Sequence, residues 1–446
     1  MKSAALPEIF GRTVRRVHCV GVAGMGLGPL AIFLAELGFE VSGEDDGMTP
    51  EMETLLRAAG VRVGAMADDC EAVVYSSAIA AAHPVYRAAK ERGLLLVRRG
   101  EMLAEAVRGR KLVAVCGSHG KTTTTAMLVW ALRRANLKNG YVLGGLFADG
   151  SAPASAGENE WVVAEIDESD GTIERFSPEI TLAVNLDWDH PDRYRTAEEI
   201  ERTFVELFGR TRGTVLVNEE WGGETLARFA TFGRNGDFAG EVGREEEGKM
   251  VLKLGGRFSM ERAVVRAKGD FNAGNATAAL AAAQLMGAKW EEGALADFGG
   301  VRRRQAVLWE GDGVRVMEDY AHHPAEIAAL LGSLRREEGR LVVVFQPHRF
   351  SRTKQFLKEF AEALDVAERV VLLDVYGAGE GRIEGGTTAD LAAAMAGGRV
   401  WHARSDAELN AALEADVRAG DLVAFVGAGD IDRKARGWIE MRKGKR

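Results

Sequence analysis

The sequence predicts an α/β fold of three domains, and three observations support that prediction. The chain has 446 residues, which exceeds what a single hydrophobic core usually serves. Short apolar runs rich in β-favouring residues alternate with helical segments along most of the chain, a pattern typical of parallel sheets. Two of these runs lead into glycine-rich loops that precede helices, so two separate nucleotide-type domains are expected in the first half of the chain.

The first domain is predicted to span residues 1–108 with a Rossmann-like fold. A strand over 17–22 precedes a glycine-rich loop, a helix near 27–37 and a second strand over 39–42. The loop reads Gly21-Val22-Ala23-Gly24-Met25-Gly26-Leu27-Gly28, and Asp45 follows the next strand. Backbone N–H groups at a helix start bind phosphate, so the loop predicts a nucleotide diphosphate site. A dinucleotide, a nucleotide sugar and a purely structural loop all remain open, because the pattern departs from G-x-G-x-x-G.

The central domain is predicted to span residues 109–303 with a mostly parallel sheet. Its expected strands cover 111–116, 161–166, 180–185 and 214–217, and a helix follows the first of them to about residue 135. Between 219 and 265 the apolar pattern gives way to glycine and charge. We predict a solvated excursion there, with one or two hairpins and no chemistry.

The strongest local signal is Val115-Cys116-Gly117-Ser118-His119-Gly120-Lys121-Thr122-Thr123, between a predicted strand and a helix. In such a loop backbone N–H groups cradle phosphate, Lys121 neutralises the β and γ groups, and Thr122 reaches Mg²⁺. The pattern therefore predicts a P-loop-type ATPase domain. Val115 stands where the general motif has its first glycine, and an ordinary strand-to-helix turn with one lysine is the alternative.

Acidic residues end the next two predicted strands of this domain. One run is Ala164-Glu165-Ile166-Asp167-Glu168-Ser169-Asp170, and the other is Asn185-Leu186-Asp187-Trp188-Asp189-His190. Carboxylates at the carboxyl ends of parallel strands, beside a phosphate loop, are placed to hold Mg²⁺. A run of carboxylates is usually a solvated face, but its position after an apolar strand favours a metal site here.

The third domain is predicted to span residues 304–446 and to be Rossmann-like. Strands are expected over 314–318, 341–345, 370–375 and 422–426, with a helix over 324–336. Two polar motifs end strands, Asp319-Tyr320-Ala321-His322-His323-Pro324 and Gln346-Pro347-His348-Arg349-Phe350-Ser351-Arg352-Thr353. Adjacent histidines on a strand end point in different directions and no third ligand is obvious, so substrate contact is favoured over a metal.

Two weaker motifs lie toward the end of the predicted central domain. Gly269 to Asn275 opens a predicted helix, and its amides Asn272 and Asn275 could bind a base or ribose. An asparagine near a helix start is more often a cap. The arginines at 302–304 offer cations for phosphate, and a surface position is the alternative.

Composition excludes several classes of protein. A net charge of −9 and a pI near 5.6 argue against bulk attraction to nucleic acid or to an anionic membrane. Cys19, Cys70 and Cys116 are odd in number and widely spaced, so neither a disulfide framework nor a zinc site is predicted. No apolar run is long enough to span a bilayer and arginines interrupt the N-terminal segment, so we expect a cytoplasmic protein.

In this order the motifs resemble the Mur ligase family over essentially the whole chain. The resemblance depends on the motifs quoted above together with Ser42-Gly43-Glu44-Asp45, Thr124-Thr125, Arg303-Arg304, Val375-Tyr376 and Ala378-Gly379-Glu380. Four positions depart from the family's usual pattern, namely Ala23, Phe271, Gln305 and Gly377. These departures leave the charged groups intact, and Phe271 most affects the expected adenine pocket.

The resemblance implies a UDP-binding first domain, a central ATPase domain and a C-terminal domain that recognises an amino acid. It further implies an ADP-forming ligase of peptidoglycan precursor synthesis that uses ATP and Mg²⁺. The lactyl carboxylate of UDP-N-acetylmuramate would be activated as an acyl phosphate and then coupled to L-alanine. The alternative within the family is a recycling ligase that adds a murein tripeptide to the same nucleotide sugar. A monomer or a weak homodimer is expected.

The resemblance also assigns roles to residues. As catalytic residues it implies Lys121, His190, His323 and Arg349. For ATP it implies Gly117, Ser118, His119, Gly120, Lys121, Thr122, Thr123, Asn272, Asn275 and Arg303. For the UDP-sugar it implies Gly21, Gly24, Met25, Gly26, Asp45, Ser76 and Ser77. For the substrate and alanine it implies Tyr320, His322, His348, Arg349 and Arg352, and for metal Thr122, Glu165 and His190.

Other Mur ligases use a carbamylated lysine near the second metal. The present chain has no lysine between Lys138 and Lys249, so none is expected here. Outside the family, a nicotinamide-dependent oxidoreductase or a non-catalytic ATP-binding switch are the rival classes. Neither explains the second phosphate loop together with the C-terminal histidine and arginine motifs.

Overall fold

The computed structural model describes residues 8–76, 79–191, 193–221, 228–246, 248–335, 339–395 and 398–444. Within this part of the chain there are three large sheets and one two-stranded ribbon. The chain divides into two compact units. The first unit comprises Met1–Asp187, Glu198–Ala267 and Asn272–Gly300, and the second comprises Trp188–Ala197, Lys268–Phe271 and Val301–Arg446.

The N-terminal part of the first unit contains a five-stranded parallel sheet. Its elements are the ribbon β1 (Glu8–Ile9) and β2 (Arg12–Thr13), then β3 (Arg16–Val20), α1 (Leu27–Glu36), β4 (Glu40–Glu44), α2 (Pro50–Ala58), β5 (Arg62–Val63), β6 (Ala72–Tyr75), α3 (Pro84–Glu91), β7 (Leu95–Arg98) and α4 (Arg99–Ala106). The strand order is β5-β4-β3-β6-β7. The glycine-rich loop therefore follows the central strand, as the Rossmann-like prediction requires.

The remainder of the first unit contains a ten-stranded sheet. Its elements are β8 (Lys111–Cys116), α5 (Lys121–Arg134), β9 (Gly140–Val142), β10 (Ala154–Ser155), β11 (Trp161–Glu165), β12 (Ile180–Ala183), α6 (Ala197–Arg210), β13 (Thr214–Asn218), β14 (Ala230–Gly233), β15 (Phe238–Glu246), β16 (Lys249–Gly256), β17 (Arg262–Val265) and α7 (Asp270–Leu285). The order is β10-β9-β11-β8-β12-β13-β14-β15-β16-β17. Since β11, β8 and β12 are parallel neighbours, the loops after them meet at one edge.

The solvated excursion predicted between 219 and 265 is wrong in its main feature. The segment extends the sheet by two more parallel strands, β14 and β15, and then by β16 and β17, each antiparallel to the strand before it. Phe232, Phe238, Met250 and Leu252 are fully or almost fully buried. The prediction of one or two hairpins holds, with β15–β16 and β16–β17, but glycines and charges obscured an alternation that buries one face of β14, of β17 and of the first half of β16.

The second unit contains a six-stranded sheet. Its elements are β18 (Ala306–Gly311), β19 (Val314–Asp319), α8 (Pro324–Leu334), β20 (Arg340–Phe345), α9 (Phe350–Gln355), α10 (Leu357–Leu364), β21 (Arg369–Leu373), α11 (Thr388–Ala394), β22 (Val400–Ala403), α12 (Asp406–Asp416), β23 (Asp421–Val426) and α13 (Ile431–Gly444). The order is β18-β19-β23-β20-β21-β22, and only β18 is antiparallel to its neighbour.

Both faces of this sheet are buried, which explains why its strands read as continuous apolar runs. Along β20, Val343 and Phe345 pack with Phe360 of α10, whereas Val342 and Val344 belong to a second buried cluster with Trp438 of α13. A parallel strand covered by helices on both faces needs apolar residues at every position. The α/β class with mostly parallel sheets is thereby confirmed.

The two compact units do not coincide with the three predicted contiguous domains. Residues 188–197 and 268–271 fall within the predicted central domain but pack with the C-terminal sheet. The boundaries at 108 and 303 stay predictions. Among the helices of the described residues, none has the length and apolar character needed to cross a bilayer.

Candidate active site

The phosphate loop in the first unit connects β8 to α5. Gly117 and Gly120 have φ of +124° and +77°, which favour glycine. A Cβ on Gly117 would lie 2.8 Å from the Asn185 carbonyl oxygen, so the loop also packs tightly against the end of β12. Thr123 lies half-buried in the first turn of α5. The sequence therefore uses glycine where left-handed backbone and close approach both exclude a side chain.

Lys121 lies over this loop. Its Nζ donates to the Gly117 carbonyl oxygen at 2.6 Å and to both Glu168 carboxylate oxygens at 3.1 Å. The Lys121 side chain is 12% exposed and that of Glu168 is 0% exposed. Burial alone would lower the pKa of Lys121, but the charges of Glu168 and Asp167 raise it above its ordinary value. Lys121 is therefore a fixed cation at the phosphate loop.

Thr122 and Glu165 bring two side-chain oxygen atoms together beside the lysine. The Thr122 hydroxyl donates to Glu165 Oε2 at 2.8 Å, and the Gly144 N–H donates to the same oxygen at 3.2 Å. Hydroxyl and carboxylate oxygens are the hard donors that Mg²⁺ prefers. The donor set thus fits the predicted magnesium site, and Glu165 reaches it because β11 is the direct neighbour of β8.

Ser118 and His119 are held by the loop that follows β12. The Asn185 side chain accepts from the His119 N–H at 2.8 Å and donates to its carbonyl oxygen at 2.9 Å. The Ser118 hydroxyl donates to the Asp187 carbonyl oxygen at 2.7 Å, and His119 Nε2 lies 3.1 Å from an Asp187 carboxylate oxygen. These bonds fix the positions of Ser118 and His119 in the phosphate loop.

Asn272 and Asn275 lie in the first turns of α7, and both are buried. Asn275 Nδ2 donates to Asn272 Oδ1 at 3.2 Å, and Asn275 Oδ1 accepts from the Thr124 hydroxyl. A Cβ on Gly120 would lie 2.6 Å from Asn275 Oδ1. The structure therefore brings Asn275 against the phosphate loop, as an ATP contact requires.

The loop over Gly21 to Gly28, which is predicted to bind the sugar nucleotide and is called the sugar-nucleotide loop below, lies at the carboxyl end of β3. Gly21 has φ of +88°, and a Cβ there would lie 3.7 Å from that of Ser76 at the end of β6. Asp45 Oδ2 accepts from the Ala23 N–H at 2.9 Å, and Met25 is 38% exposed. Gly24 donates its N–H to the Gly21 carbonyl oxygen at 3.1 Å. Ser77 lies outside the described residues.

In the second unit, Tyr320 follows β19 between two arginines. The guanidinium carbons of Arg303 and Arg304 lie 4.8 and 5.0 Å from the centre of its ring. Arg303 Nη2 donates to the carbonyl oxygens of Gly427 and Gly429. Arg303 thus belongs to the C-terminal sheet, whereas the other predicted ATP residues belong to the first unit.

Arg352 and Asp189 form a buried ion pair within the second unit. Arg352 donates through Nε and Nη2 to Asp189 at 2.9 to 3.2 Å, and both side chains are 3% exposed. Burial alone would raise the pKa of Asp189, but the Arg352 charge holds it well below its usual range. Nη1 of Arg352 also donates to His348 Nδ1 at 3.3 Å. The predicted substrate arginine is therefore mainly a partner of Asp189.

The residue after Asp189 is the predicted metal ligand His190. Its φ is +56°, and its backbone N–H donates to Asp189 Oδ1 at 2.6 Å. Trp188 packs edge-on against Phe356 at 5.8 Å between ring centres. The segment that carries His190 is thus anchored in the second unit, whereas Thr122 and Glu165 lie in the first.

The two adjacent histidines have different surroundings. His322 donates through Nδ1 to the Tyr320 carbonyl oxygen at 3.0 Å, and its ring lies 5.8 Å from that of His348. His323 is buried, and its Nδ1 accepts from the Ala325 N–H at the start of α8. The helix cap is a structural use of His323, and its predicted catalytic role stays a prediction.

Arg349 lies at the end of β20 in backbone strained to φ of +70°. Its Nη1 lies 3.4 Å from Glu380 Oε1, and Glu380 also accepts from the Ser351 N–H and hydroxyl. The His348 ring stacks on Tyr376 at 5.7 Å. Glu380 and Tyr376, from the loop after β21, therefore hold Arg349 and His348, two of the residues predicted to bind the substrate and L-alanine.

We expect the histidines of this cluster to make folding sensitive to acid. Burial, with the nearby His322 and Arg352, lowers the pKa of His348 to about 3, and burial lowers that of His322 to about 4. Unfolded histidines titrate near 6.5, so below that pH protons bind the unfolded chain first and stability falls. In urea titrations, the free energy of unfolding of His348→Gln should therefore fall by about 2 kcal/mol less than that of the wild type between pH 7 and pH 5.

The difference in pH dependence between the wild type and His348→Gln reports on His348 alone. Burial raises the pKa of Asp319 to about 6, so the folded protein binds this proton first and Asp319 increases the free energy of unfolding as the pH falls. It does so equally in the wild type and in His348→Gln. Identical pH profiles for the two proteins would contradict the neutral, buried state of His348.

Sequence reasoning missed four residues that the structure brings to these sites. Glu168 and Asn185 were part of the quoted motifs without a role, and their position after strands neighbouring β8 was the available signal. Asp170 also belonged to a quoted motif, but nothing in the sequence pointed to Arg99 or to its pairing with Asp170, since 71 residues separate the two.

Comparison with known proteins defines the class first. Three domain families match in order: "Mur ligase family, catalytic domain" over residues 16–111, "Mur ligase middle domain" over 115–283, and "Mur ligase, glutamate ligase domain" over 302–429. The chain belongs to the Mur ligase family.

Within this family, the chain is similar to individual proteins of known activity or structure. The UDP-N-acetylmuramate--L-alanine ligase of Kineococcus radiotolerans is 39% identical, over 93% of this chain and 94% of that protein. The crystal structure of the UDP-N-acetylmuramate-alanine ligase of Thermotoga maritima matches with a TM-score of 0.81 and 26% identity, over 97% of this chain and 100% of that one. A murein peptide ligase of Psychrobacter arcticus shares the fold, with a TM-score of 0.73, 22% identity and coverage of 96% and 98%.

Proposed function

We propose that this chain is an ADP-forming ligase that joins L-alanine to the lactyl carboxylate of UDP-N-acetylmuramate in peptidoglycan precursor synthesis. The observation that carries the proposal is its 39% identity, over nearly the full length of both chains, to a ligase of that activity. The phosphate loop with Lys121 and the strand-end arginines of the second unit supply the charges that such a reaction needs.

The reaction has two steps, and both place negative charge near cations. A lactyl carboxylate oxygen attacks the γ-phosphorus of ATP, the bond to the β-phosphate oxygen breaks, and ADP leaves. The neutral amine of L-alanine then attacks the carbonyl carbon of the acyl phosphate, the nitrogen loses a proton to solvent, and the tetrahedral intermediate expels phosphate to leave the amide. Phosphoryl transfer depends on positioning and charge neutralisation, which Lys121 and the N–H groups of the phosphate loop provide.

Thr122 and Glu165 would hold Mg²⁺, since their oxygens lie within 2.8 Å of each other and both are hard donors. When bound, Mg²⁺ supplies positive charge to phosphate oxygens. We propose His190 as a ligand of a second ion. The chain keeps Glu165 in place through the Gly144 N–H, independently of any ion.

The alanine end of the substrate is assigned to the second unit. Arg349 would bind the alanine carboxylate by a charge-assisted pair, exchanging its long contact with Glu380 for the substrate. The His322 ring contacts the rings of Tyr320 and His348, at 5.5 and 5.8 Å between centres, and His322 is neutral at physiological pH. We propose a cytoplasmic monomer or weak homodimer, with domains divided near residues 108 and 303.

The recycling ligase is the alternative to be tested. Purified protein would receive ATP, Mg²⁺ and UDP-N-acetylmuramate, and phosphate release would be compared for L-alanine, glycine, L-serine and the tripeptide L-alanyl-γ-D-glutamyl-meso-diaminopimelate. The proposal requires the highest kcat/KM for L-alanine. A preference for the tripeptide would assign the chain to the recycling reaction, and no phosphate release with any amine would refute both.

Replacing Arg349 with alanine is expected to raise the KM for L-alanine about 10- to 100-fold, because a charge-assisted hydrogen bond to the substrate carboxylate is lost. The KM for ATP should change little. Steady-state phosphate release measures both constants. The matched control is Arg315→Ala, which removes an exposed ion pair with Glu310 on the same sheet. Unchanged kinetics in Arg349→Ala would remove this residue from the alanine site.

A further inference from the structure

The sugar-nucleotide loop lacks a cation of its own. Residues Gly21 to Gly28 are neutral, and the side chain that follows β4 is the carboxylate of Asp45. A nucleoside diphosphate brings at least two negative charges to this loop, in a chain whose net charge is −9. Backbone N–H groups offer only partial charges, so a side-chain cation nearby would strengthen the binding of a diphosphate.

Arg99, the first residue of α4, lies at this loop. A Cβ built on Gly26 would lie 2.9 Å from Arg99 Cδ and 3.3 Å from its Nε. The end of the arginine stem thus packs against Gly26, and a side chain at this position would force the arginine to move. The Arg99 side chain is 17% exposed, so it is enclosed but still reachable by a ligand.

The other end of the Arg99 guanidinium is held by the loop after β11. Nη2 donates to Asp170 Oδ2 at 3.1 Å and lies 3.7 Å from Asp167 Oδ2. Asp170 is itself fixed, because its Oδ1 accepts from the Thr172 N–H at 2.9 Å. The anchoring carboxylate therefore fixes the orientation of the arginine.

The same loop fixes a second cation. Glu168, two residues before Asp170, binds Lys121 of the phosphate loop. The loop over residues 167–170 thus holds one cation at each nucleotide loop, Lys121 through Glu168 and Arg99 through Asp170. A guanidinium has five N–H donors, so Arg99 can keep Asp170 and still donate to a phosphate.

We propose that Arg99 binds the diphosphate of the sugar nucleotide, and that Asp170 is the residue that positions it. The inference rests on the proposed function for the identity of the ligand. It makes the loop over 167–170 the element that sets both cations, so disturbing Asp170 should affect the sugar nucleotide while leaving the Lys121–Glu168 pair in place.

The test compares the affinities of UDP and uridine for the full-length protein, measured by calorimetry and ligand-observed NMR. Arg99→Met keeps the stem and removes the charge, and should weaken UDP binding about 10- to 100-fold while uridine binding stays the same. Arg99→Lys should recover part of the loss. Asp170→Asn should weaken UDP binding less than Arg99→Met does.

Arg98→Met is the matched control. Arg98 is the neighbouring arginine, and it donates to the Asp170 carbonyl oxygen in the loop over 167–170 and to Glu101 in α4. The contact with Gly26, however, is made by Arg99. Its UDP affinity should stay near that of the wild type. Unchanged UDP affinity in Arg99→Met, an equal loss of UDP and uridine, or the same loss in Arg98→Met would each overturn the proposal.

The result separates this proposal from the proposed function. UDP binding needs no turnover, so Arg99-dependent affinity in a protein that releases no phosphate with L-alanine would leave Arg99 in place and reject the alanine reaction. Conversely, L-alanine-dependent turnover with an unchanged KM for UDP-N-acetylmuramate in Arg99→Met would support the reaction and reject the role of Arg99.

Discussion

Replacing Lys121 with methionine is expected to reduce L-alanine-dependent phosphate release by at least about 1,000-fold, because the γ-phosphoryl group loses its fixed cation in the transition state. The aliphatic stem of lysine is largely retained. Lys111→Met is the matched control, since Lys111 begins β8, the strand that leads into the phosphate loop, and pairs with Glu160 at the surface. Single-turnover kinetics with saturating ATP would measure the effect on the chemical step.

A loss of activity in this variant must be separated from a loss of folding. Without Lys121, the fully buried Glu168 carboxylate has lost the ammonium group that both of its oxygens contact, which is destabilising. Adding Glu168→Gln should return the free energy of unfolding toward the wild-type value while activity stays absent. A single variant that keeps more than about a tenth of the wild-type rate would contradict the assignment of Lys121.

The second large effect is expected on stability. Arg352→Met should lower the free energy of unfolding by about 3 to 5 kcal/mol, because it leaves Asp189 buried without its cation. Its deficit should shrink as the pH falls from 7 to 5. Without Arg352, burial raises the folded-state pKa of Asp189, so the folded protein then binds a proton more readily than the unfolded chain.

A double variant that also removes the charge of Asp189 is the control for this prediction. Asp189→Asn added to Arg352→Met removes the buried charge and should recover part of the lost stability in urea titrations. A deficit below about 1 kcal/mol in Arg352→Met, as for an exposed ion pair, would show that the pair is not buried in solution.

The position of the phosphate loop and of the acidic motifs could be predicted from sequence because parallel strands bring their carboxyl ends to one edge. Glu165 ends β11 and Asn185 follows β12, the two strands that flank β8. Each residue was recognised in the sequence because it comes at the end of an apolar run. The continuous apolar runs of the C-terminal sheet were also readable, since helices cover both faces of the strands.

Long-range pairs could not be predicted. Arg352 and Asp189 are 163 residues apart, and their motifs gave no reason to join a predicted substrate arginine to that aspartate. The capping position of His323 was within reach, because Pro324 and Glu326 complete a local helix-start pattern. The strand β18 was missed because its side chains are only partly buried, which weakens the apolar signal.

The excursion of residues 188–197 into the second unit determines how this protein can be recombined with its relatives. Exchanging the chain from residue 301 onward would import a new Arg352 and Phe356 while keeping the old Asp189 and Trp188. A hybrid designed on linear boundaries would therefore mix two halves of one interior. Transplanting the ten-residue segment together with the C-terminal third preserves that interior and gives the design rule for chimeras in this family.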